Sequence, residues 1–329
     1  MSFPHYLSQS KNTILAVKNL KTYFFLKKGI LKAVNNVNFQ LHSNEIFALV
    51  GESGSGKTIL SLSLINLLPE KAKIIEGEIL FEGKNLINLK EKDMTKIRGR
   101  KISMIFQEPM TALNPVMTIG EQIMETIRYH FHLNRKKAFN EMVSLLEKVK
   151  FPEPEKRYKT YPHQLSGGMR QRVLIAIALA GKPKILIADE PTTALDVITE
   201  NEIIELLLDL KKEMNLSLIF ISHDIGLVSR IADKIGVMYG GQLVEIGEKE
   251  NIINQPKHPY TIALWNSLPV FWKKRKVKIK TIPGTVPNLL SLPSGCVFHP
   301  RCSMKKEICS IKEPPLKRID GQMVKCWLY

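Results

Sequence analysis

The chain reads as an α/β protein built around a phosphate-binding loop, and three observations predict it. A compact apolar strand, Ile46–Val50, runs straight into the glycine loop Gly51–Thr58 (GESGSGKT), and a helix-like apolar segment follows. A second apolar strand, Ile185–Ala188, delivers the acidic pair Asp189 and Glu190. Strand-like Ile185–Ala188 and Leu218–Ser222 flank helix-like Glu200–Met214, and such alternation calls for parallel pairing.

Upstream, Ile14–Asn19 and Val34–Leu41 are β-branched-rich runs separated by a Lys/Gly turn at Lys27–Gly29, as expected of antiparallel strands. Ile59–Leu68 predicts a helix closed by Pro69, and Glu78–Phe81 and Lys101–Phe106 predict further strands. From Met117 to Lys150 the pattern turns helical. Ile119, Ile123 and Ile127 recur at four-residue spacing, and Met142, Leu145 and Leu146 make a second apolar stripe. This predicts a helical insertion, about residues 110–180, between two halves of the core. Beyond Pro256 the composition shifts: Pro283, Pro287, Pro293, Pro300, Pro314 and Pro315, with all four cysteines, mark a small tail. The boundaries fall at 1–265 for the nucleotide-binding part and 266–329 for the extension. No internal repeat is evident.

At 329 residues the chain suits about two domains. Hydrophobic residues at 44% and charged residues at 24% are ordinary for a globular protein. The longest apolar run, Val173–Ala180, is less than half of the ~18 residues a membrane span needs. The N-terminus has no signal-peptide pattern, so the expectation is a cytosolic chain with at most a peripheral membrane role. The formal net charge of +17 suits a polyanionic partner, or equally a lysine-rich surface that favours solubility. The basic run Lys273–Lys280 reads as a solvated linker.

The loop Gly51-Glu52-Ser53-Gly54-Ser55-Gly56-Lys57-Thr58 fits G-x-x-x-x-G-K-[ST] in full. Its glycines let backbone N–H groups turn inward around a β-phosphate, and Lys57 adds a point charge for the β- and γ-phosphates. Thr58 offers a hydroxyl to Mg²⁺, while the following helix turns its positive end toward the anion. Asp189 would complete the Mg²⁺ shell at the carboxyl edge of its strand. Glu190, one residue on, can polarise the attacking water as general base. The expected substrate is ATP with Mg²⁺.

Leu165-Ser166-Gly167-Gly168 resembles the signature of the ABC ATPases. Ser166 and the two glycines expose backbone donors at the start of a helix, Met169–Ala180. The resemblance implies the P-loop NTPase fold of ABC type: an antiparallel β subdomain, the helical insertion, and a small cysteine-containing C-terminal extension. It also implies that this signature addresses the γ-phosphate held by an opposite subunit, so two nucleotide-binding subunits must pair. Met169 stands where many relatives have Gln, which leaves the phosphate-facing Ser166, Gly167 and Gly168 intact. By the same resemblance Gln107 (in MIFQEP) would touch Mg²⁺ and water, and Ala194-Leu195-Asp196 would cross to the other subunit. His223 (in FISHD) would contact the γ-phosphate. Tyr23 would stack on adenine, with its neighbour Phe24 as the alternative.

The tail resembles the extension of dipeptide/oligopeptide (and nickel) importer ATPases, through His258-Pro259-Tyr260 and Pro283-Gly284-Thr285-Val286-Pro287. Cys296, Cys302, Cys309 and Cys326 lie with five, six and sixteen residues between them, without the C-x₂-C pair common in zinc sites. A metal site is preferred over disulfides in a cytosolic chain. Cys296-Val297-Phe298-His299-Pro300-Arg301-Cys302 resembles the importer branch's C-x-F-x-P-R-C, whose four thiolates are associated with a [4Fe–4S] cluster. Zinc and reduced thiols stay open as alternatives. The resemblance implies an ATPase energising peptide import from the cytoplasmic face of the membrane. Its partners would be a second ATPase subunit (this chain or a paralogue), two transmembrane permeases and, indirectly, an extracytoplasmic solute-binding protein. Nickel or another solute is an alternative cargo. A soluble ABC ATPase acting on nucleic acid would suit the charge. Such chains usually carry tandem cassettes or a coiled-coil insertion, absent here, so no nucleic-acid partner is expected.

Overall fold

The computed structural model describes residues 12–107, 112–193, 195–267 and 282–329. Ala194 and the basic run Lys273–Lys280 lie outside the described residues. The chain divides into two units, Met1–Leu89 with Phe220–Tyr329, and Lys90–Ile219.

The first unit begins with β1 (Thr13–Leu26) and β2 (Gly29–His42), a long antiparallel hairpin. After β3 (Ile46–Val50) come β4 (Ala72–Phe81), which pairs with the other edge of β1, and β5 (Lys84–Asn85), giving the order β2-β1-β4-β5. The hairpin outruns the apolar runs Ile14–Asn19 and Val34–Leu41, because its outer half, where Phe24 pairs with Leu31 and Phe25 with Ile30, still completes the ladder. Asn19 and Asn36 take left-handed φ values of 47° and 57°, and the Asn38 side chain accepts from Asn19 N at 2.9 Å beside a register shift. Asparagine is the residue that tolerates this conformation with least penalty.

All five residues of β3 are buried, as a continuous apolar run requires of a strand covered on both faces. The rings of Phe39 and Phe47 stack at 4.8 Å and tie β2 to β3. The helix after the glycine loop spans Lys57–Leu64, shorter than Ile59–Leu68. Asn66 at φ 48° turns the chain, and Leu67 N donates back to Leu62 O at 2.9 Å, so the helix closes before Pro69 acts.

In the second unit, β6 (Ile102–Ile105) and β7 (Ile185–Asp189) run parallel, with Ile102 opposite Ile185 and Ile105 opposite Ala188. Helix Ile119–Phe131 is capped by Thr118, whose hydroxyl accepts from Glu121 N and donates to the Glu121 carboxylate. Helix Arg135–Lys148 is capped by Asn134. Ile119, Ile123 and Ile127 on the first, and Met142, Leu145 and Leu146 on the second, are all buried, so both sequence stripes are core-facing. Helices Gly167–Leu179 and Val197–Met214 complete the unit.

The chain passes back to the first unit within β8 (Ser217–Ile221). There β9 (Lys234–Tyr239) lies parallel to β3 and antiparallel to β10 (Gln242–Glu248). A Gly240–Gly241 turn with both φ positive joins β9 and β10, the geometry that two-residue hairpins favour. The tail contributes β11 (Leu316–Ile319) and β12 (Gln322–Lys325), and β12 pairs with β10. The order in this unit is β11-β12-β10-β9-β3. Among the described residues no helix is long and apolar enough to cross a membrane.

Candidate functional site

The glycine loop joins β3 to helix Lys57–Leu64, and its backbone could not carry larger residues at two points. Gly51 and Gly56 have φ of 156° and 103°. A Cβ on either would fall 2.1 Å from a backbone oxygen, of Met238 and Ala33 respectively. Ser55 is buried and bridges the loop: its N donates to Glu52 O and its O accepts from Gly241 N at 3.0 Å. Ser53 and Gly54 are exposed at the tip, and Thr58 is half-buried in the first helical turn. The buried Lys57 ammonium donates to Gly51 O at 2.8 Å and Glu52 O at 3.1 Å. A glycine-rich turn at a helix start, with a buried cation held by its own carbonyls, is suited to a polyphosphate. In the same unit, His223 is exposed just after β8. Tyr23 on β1 is half-buried, its hydroxyl donating to Asn35 Oδ1 at 2.8 Å and its ring 6.0 Å from the Lys32 ammonium.

The second unit brings together two predicted residues that are 83 positions apart. Gln107 Nε2 donates to Glu190 Oε2 at 3.0 Å, and Thr193 Oγ1 donates to the same oxygen at 3.0 Å. Glu190 follows β7 with φ 46°, a conformation that costs a non-glycine residue about 1–2 kcal/mol. Asp189, one residue before, is buried at the strand end. Thr193 was not singled out in the sequence; its only signal is its place three residues past Glu190. Elsewhere in this unit Ser166 caps helix Gly167–Leu179 by accepting from Met169 N. Ser166 and Gly167 are exposed and Gly168 half-buried, so the positive helix end is open to an anion. Asp196 caps helix Val197–Met214 by accepting from Ile198 N and Thr199 N. Those backbone bonds, Thr199 first, hold its carboxylate below the usual range.

The tail packs around an aromatic cluster within the first unit. Phe298 meets Tyr239, Tyr260 and His258, with ring centroids at 5.2, 5.3 and 5.9 Å. His258 caps helix Pro259–Asn266 by accepting from Tyr260 N at Nδ1. The Glu245 carboxylate on β10 is buried and accepts from Lys257 N and His258 N at 2.7 and 3.0 Å. Burial raises the Glu245 pKa despite those bonds. Burial pushes the His258 pKa down to about 3, partly offset by a hydrogen bond to the Lys325 backbone.

His258 therefore stays neutral in the fold, while an unfolded imidazole takes its proton near pH 6.5. The stability that depends on it is complete above pH 6.5 and is lost as pH falls from there toward 3. The slope is about 1.4 kcal/mol per pH unit. Urea midpoints followed by tryptophan fluorescence at pH 7.5 and 5 should separate more for wild type than for His258→Asn, which keeps the cap. Equal separations would remove this histidine as the cause.

Cys296, Cys309 and Cys326 are buried and Cys302 is half-buried, all as free thiols. Cys296 is pushed up to about 11, chiefly by burial and further by the other three cysteines. The thiols of Cys302 and Cys326 are raised in the same way. Cys296 N donates to Cys309 O at 2.8 Å, which sets those two cysteines side by side. Among the described residues, no group of three or more His, Cys, Asp or Glu side chains is arranged to hold a metal ion.

A P-loop after a buried strand, an acid pair after a second buried strand and a capped Ser-Gly-Gly helix start are the parts of a nucleotide-binding cassette. The family profile described as "ABC transporter" matches residues 34–193, and that for "Oligopeptide/dipeptide transporter, C-terminal region" matches residues 244–309. The oligopeptide transport ATP-binding protein OppD of Haemophilus influenzae is 48% identical over 317 residues, covering 96% of this chain and 98% of the relative. The oligopeptide transport ATP-binding protein AppD of Bacillus subtilis is 49% identical over 320 residues, 97% of each chain. The dipeptide transport ATP-binding protein DppD of Bacillus subtilis is 46% identical over 317 residues, 96% of this chain and 94% of the relative. Among solved structures, the dimeric bacterial ABC transporter cassette MJ0796 aligns with TM-score 0.65 and 29% identity, covering 71% of this chain and 98% of that one. The chain belongs to the family of ATP-binding subunits of oligopeptide and dipeptide ABC transporters.

Proposed function

We propose that this chain is the ATPase subunit that energises import of oligopeptides or dipeptides through a membrane ABC permease. One observation carries the reading: similarity to oligopeptide and dipeptide transport ATP-binding proteins extends over nearly the whole chain, tail included. In this reading residues 1–265 form the cassette and 266–329 the extension. Gly51, Ser53, Gly54, Ser55, Gly56 and Lys57 hold the phosphates, while Thr58, Gln107 and Asp189 complete the Mg²⁺ shell. Glu190 acts as general base and His223 faces the γ-phosphate. Tyr23 stacks on the adenine. Ser166, Gly167, Gly168 and Asp196 serve the nucleotide held by a second ATPase subunit; the MJ0796 cassette is described as dimeric, bound to ADP and Pi. Two permeases would seat the pair on the cytoplasmic face of the membrane, with a solute-binding protein on the far side.

The four cysteines of the tail are an all-thiolate donor set, although among the described residues no three such side chains are arranged to hold a metal ion. Such a donor set suits an iron–sulfur cluster, which would hold the tail's shape. Cys296, Cys302, Cys309 and Cys326 would be its ligands.

The test is reconstitution. Proteoliposomes with the permeases and the solute-binding protein should take up labelled peptide only with ATP and this subunit. A chain that ignores the permeases but binds RNA or DNA in a salt-sensitive manner would move the function to nucleic acid, which the charge of +17 would suit.

A further inference from the structure

Glu52 occupies one of the four variable positions of the glycine loop, and its side chain is not turned toward the phosphate cradle. It is gripped by the tail. Arg301 Nη1 and Nη2 donate to Glu52 Oε2 and Oε1 at 2.7 and 3.0 Å, a two-pronged pair across 249 residues of sequence. The arginine side chain is only 6% exposed. Its Nε donates to Pro283 O at 2.8 Å, and Nη1 also reaches the Tyr239 hydroxyl at 3.3 Å. A second tie reaches the same loop residue, since Glu52 N donates to the Tyr260 hydroxyl at 2.9 Å.

The pair matters because of what surrounds it. Nothing lies within 4 Å of where a Cβ of Gly54 would be, so the loop tip makes little contact of its own. Ordering falls to the anchors at its base, and Glu52 carries two of them. A phosphate nest is tight only when its N–H groups are aimed before the ligand arrives. Arg301 in turn sits on a short 3₁₀ turn, His299–Arg301, bracketed by two cysteines. His299 N donates to Cys296 O, and Cys302 N donates to His299 O. Whatever fixes Cys296 and Cys302 fixes the guanidinium one residue away.

We propose that Arg301 is a positioning residue for the phosphate loop: through its fork on Glu52, the cysteine-bracketed turn of the tail sets how tightly this subunit binds the phosphates of ATP. The inference rests on the loop being an ATP site. Its effect belongs to binding, not to the chemical step.

The experiment is a double-mutant cycle on the full chain, with MgATP affinity and ATPase kinetics read together. Arg301→Ala should raise the dissociation constant and KM for MgATP about tenfold, with kcat at saturation within about twofold of wild type. Glu52→Gln, which leaves the tail's own residues untouched, should do the same. The double variant should be no worse than either single one, and exchanging the charges (Glu52→Arg with Arg301→Glu) should recover part of the loss. Arg301→Lys should fall between, since an ammonium cannot form the fork. Single variants that bind MgATP like wild type, or losses that simply add in the double variant, would overturn the coupling while sparing the ATPase reading. A wild-type chain that binds no MgATP would remove both.

Discussion

Glu190→Gln is expected to leave MgATP binding at wild-type strength while lowering turnover by at least about a hundredfold, the usual scale for loss of a general base. Gln107 Nε2 and Thr193 Oγ1 both donate to one oxygen of Glu190, at 3.0 Å each. A glutamine carbonyl can accept both bonds, so the loop after β7 should keep its shape. What disappears is the charge and the ability to take a proton from water. The backbone also favours a minimal change, because φ 46° at this residue is already unfavourable for any side chain with a Cβ. Equilibrium binding of MgATP and single-turnover hydrolysis, measured side by side, decide the matter. An unchanged hydrolysis rate would reassign the base.

Lys57→Ala should abolish tight nucleotide binding, weakening it by about a hundredfold or more. The lysine is buried, yet its ammonium is satisfied by loop carbonyls of Gly51 and Glu52. Burying a charge is tolerable only with such partners. The site thus keeps one positive charge buried within the glycine loop, where little water dilutes its attraction for phosphate. Alanine removes the charge without a substitute. Titration with a fluorescent ATP analogue checks it, and affinity within about threefold of wild type would mean that the backbone alone suffices.

Much of the site could be read from the chain because its physics is local. Gly51–Thr58 needs its glycines for a single tight turn, so loop, strand and helix all show in one short stretch. The stripes Ile119, Ile123, Ile127 and Met142, Leu145, Leu146 announced buried helix faces because helical periodicity depends only on neighbours three and four residues away. Strand lengths were less legible: β1 and β2 continue past Asn19 and before Val34, where Asn19, Lys21 and Lys32 interrupt the apolar pattern while the backbone pairing goes on. The partnership of Arg301 with Glu52 could not be read at all. It joins residues 249 positions apart, and an Arg or a Glu looks the same in sequence whether solvated or paired. Glu245 was hidden similarly; an acid in a strand suggests an outward face, yet here it receives two backbone N–H groups beneath the surface.

The hairpin of β11 and β12 has a consequence beyond shape. By lying along Glu245 and Ile246 it occupies the outward rim of β10, a row of main-chain donors and acceptors that would otherwise await any extended peptide. A shortened version ending before Leu316 would bare that rim and become adhesive to its own kind. The hairpin thus doubles as a guard against stray strands.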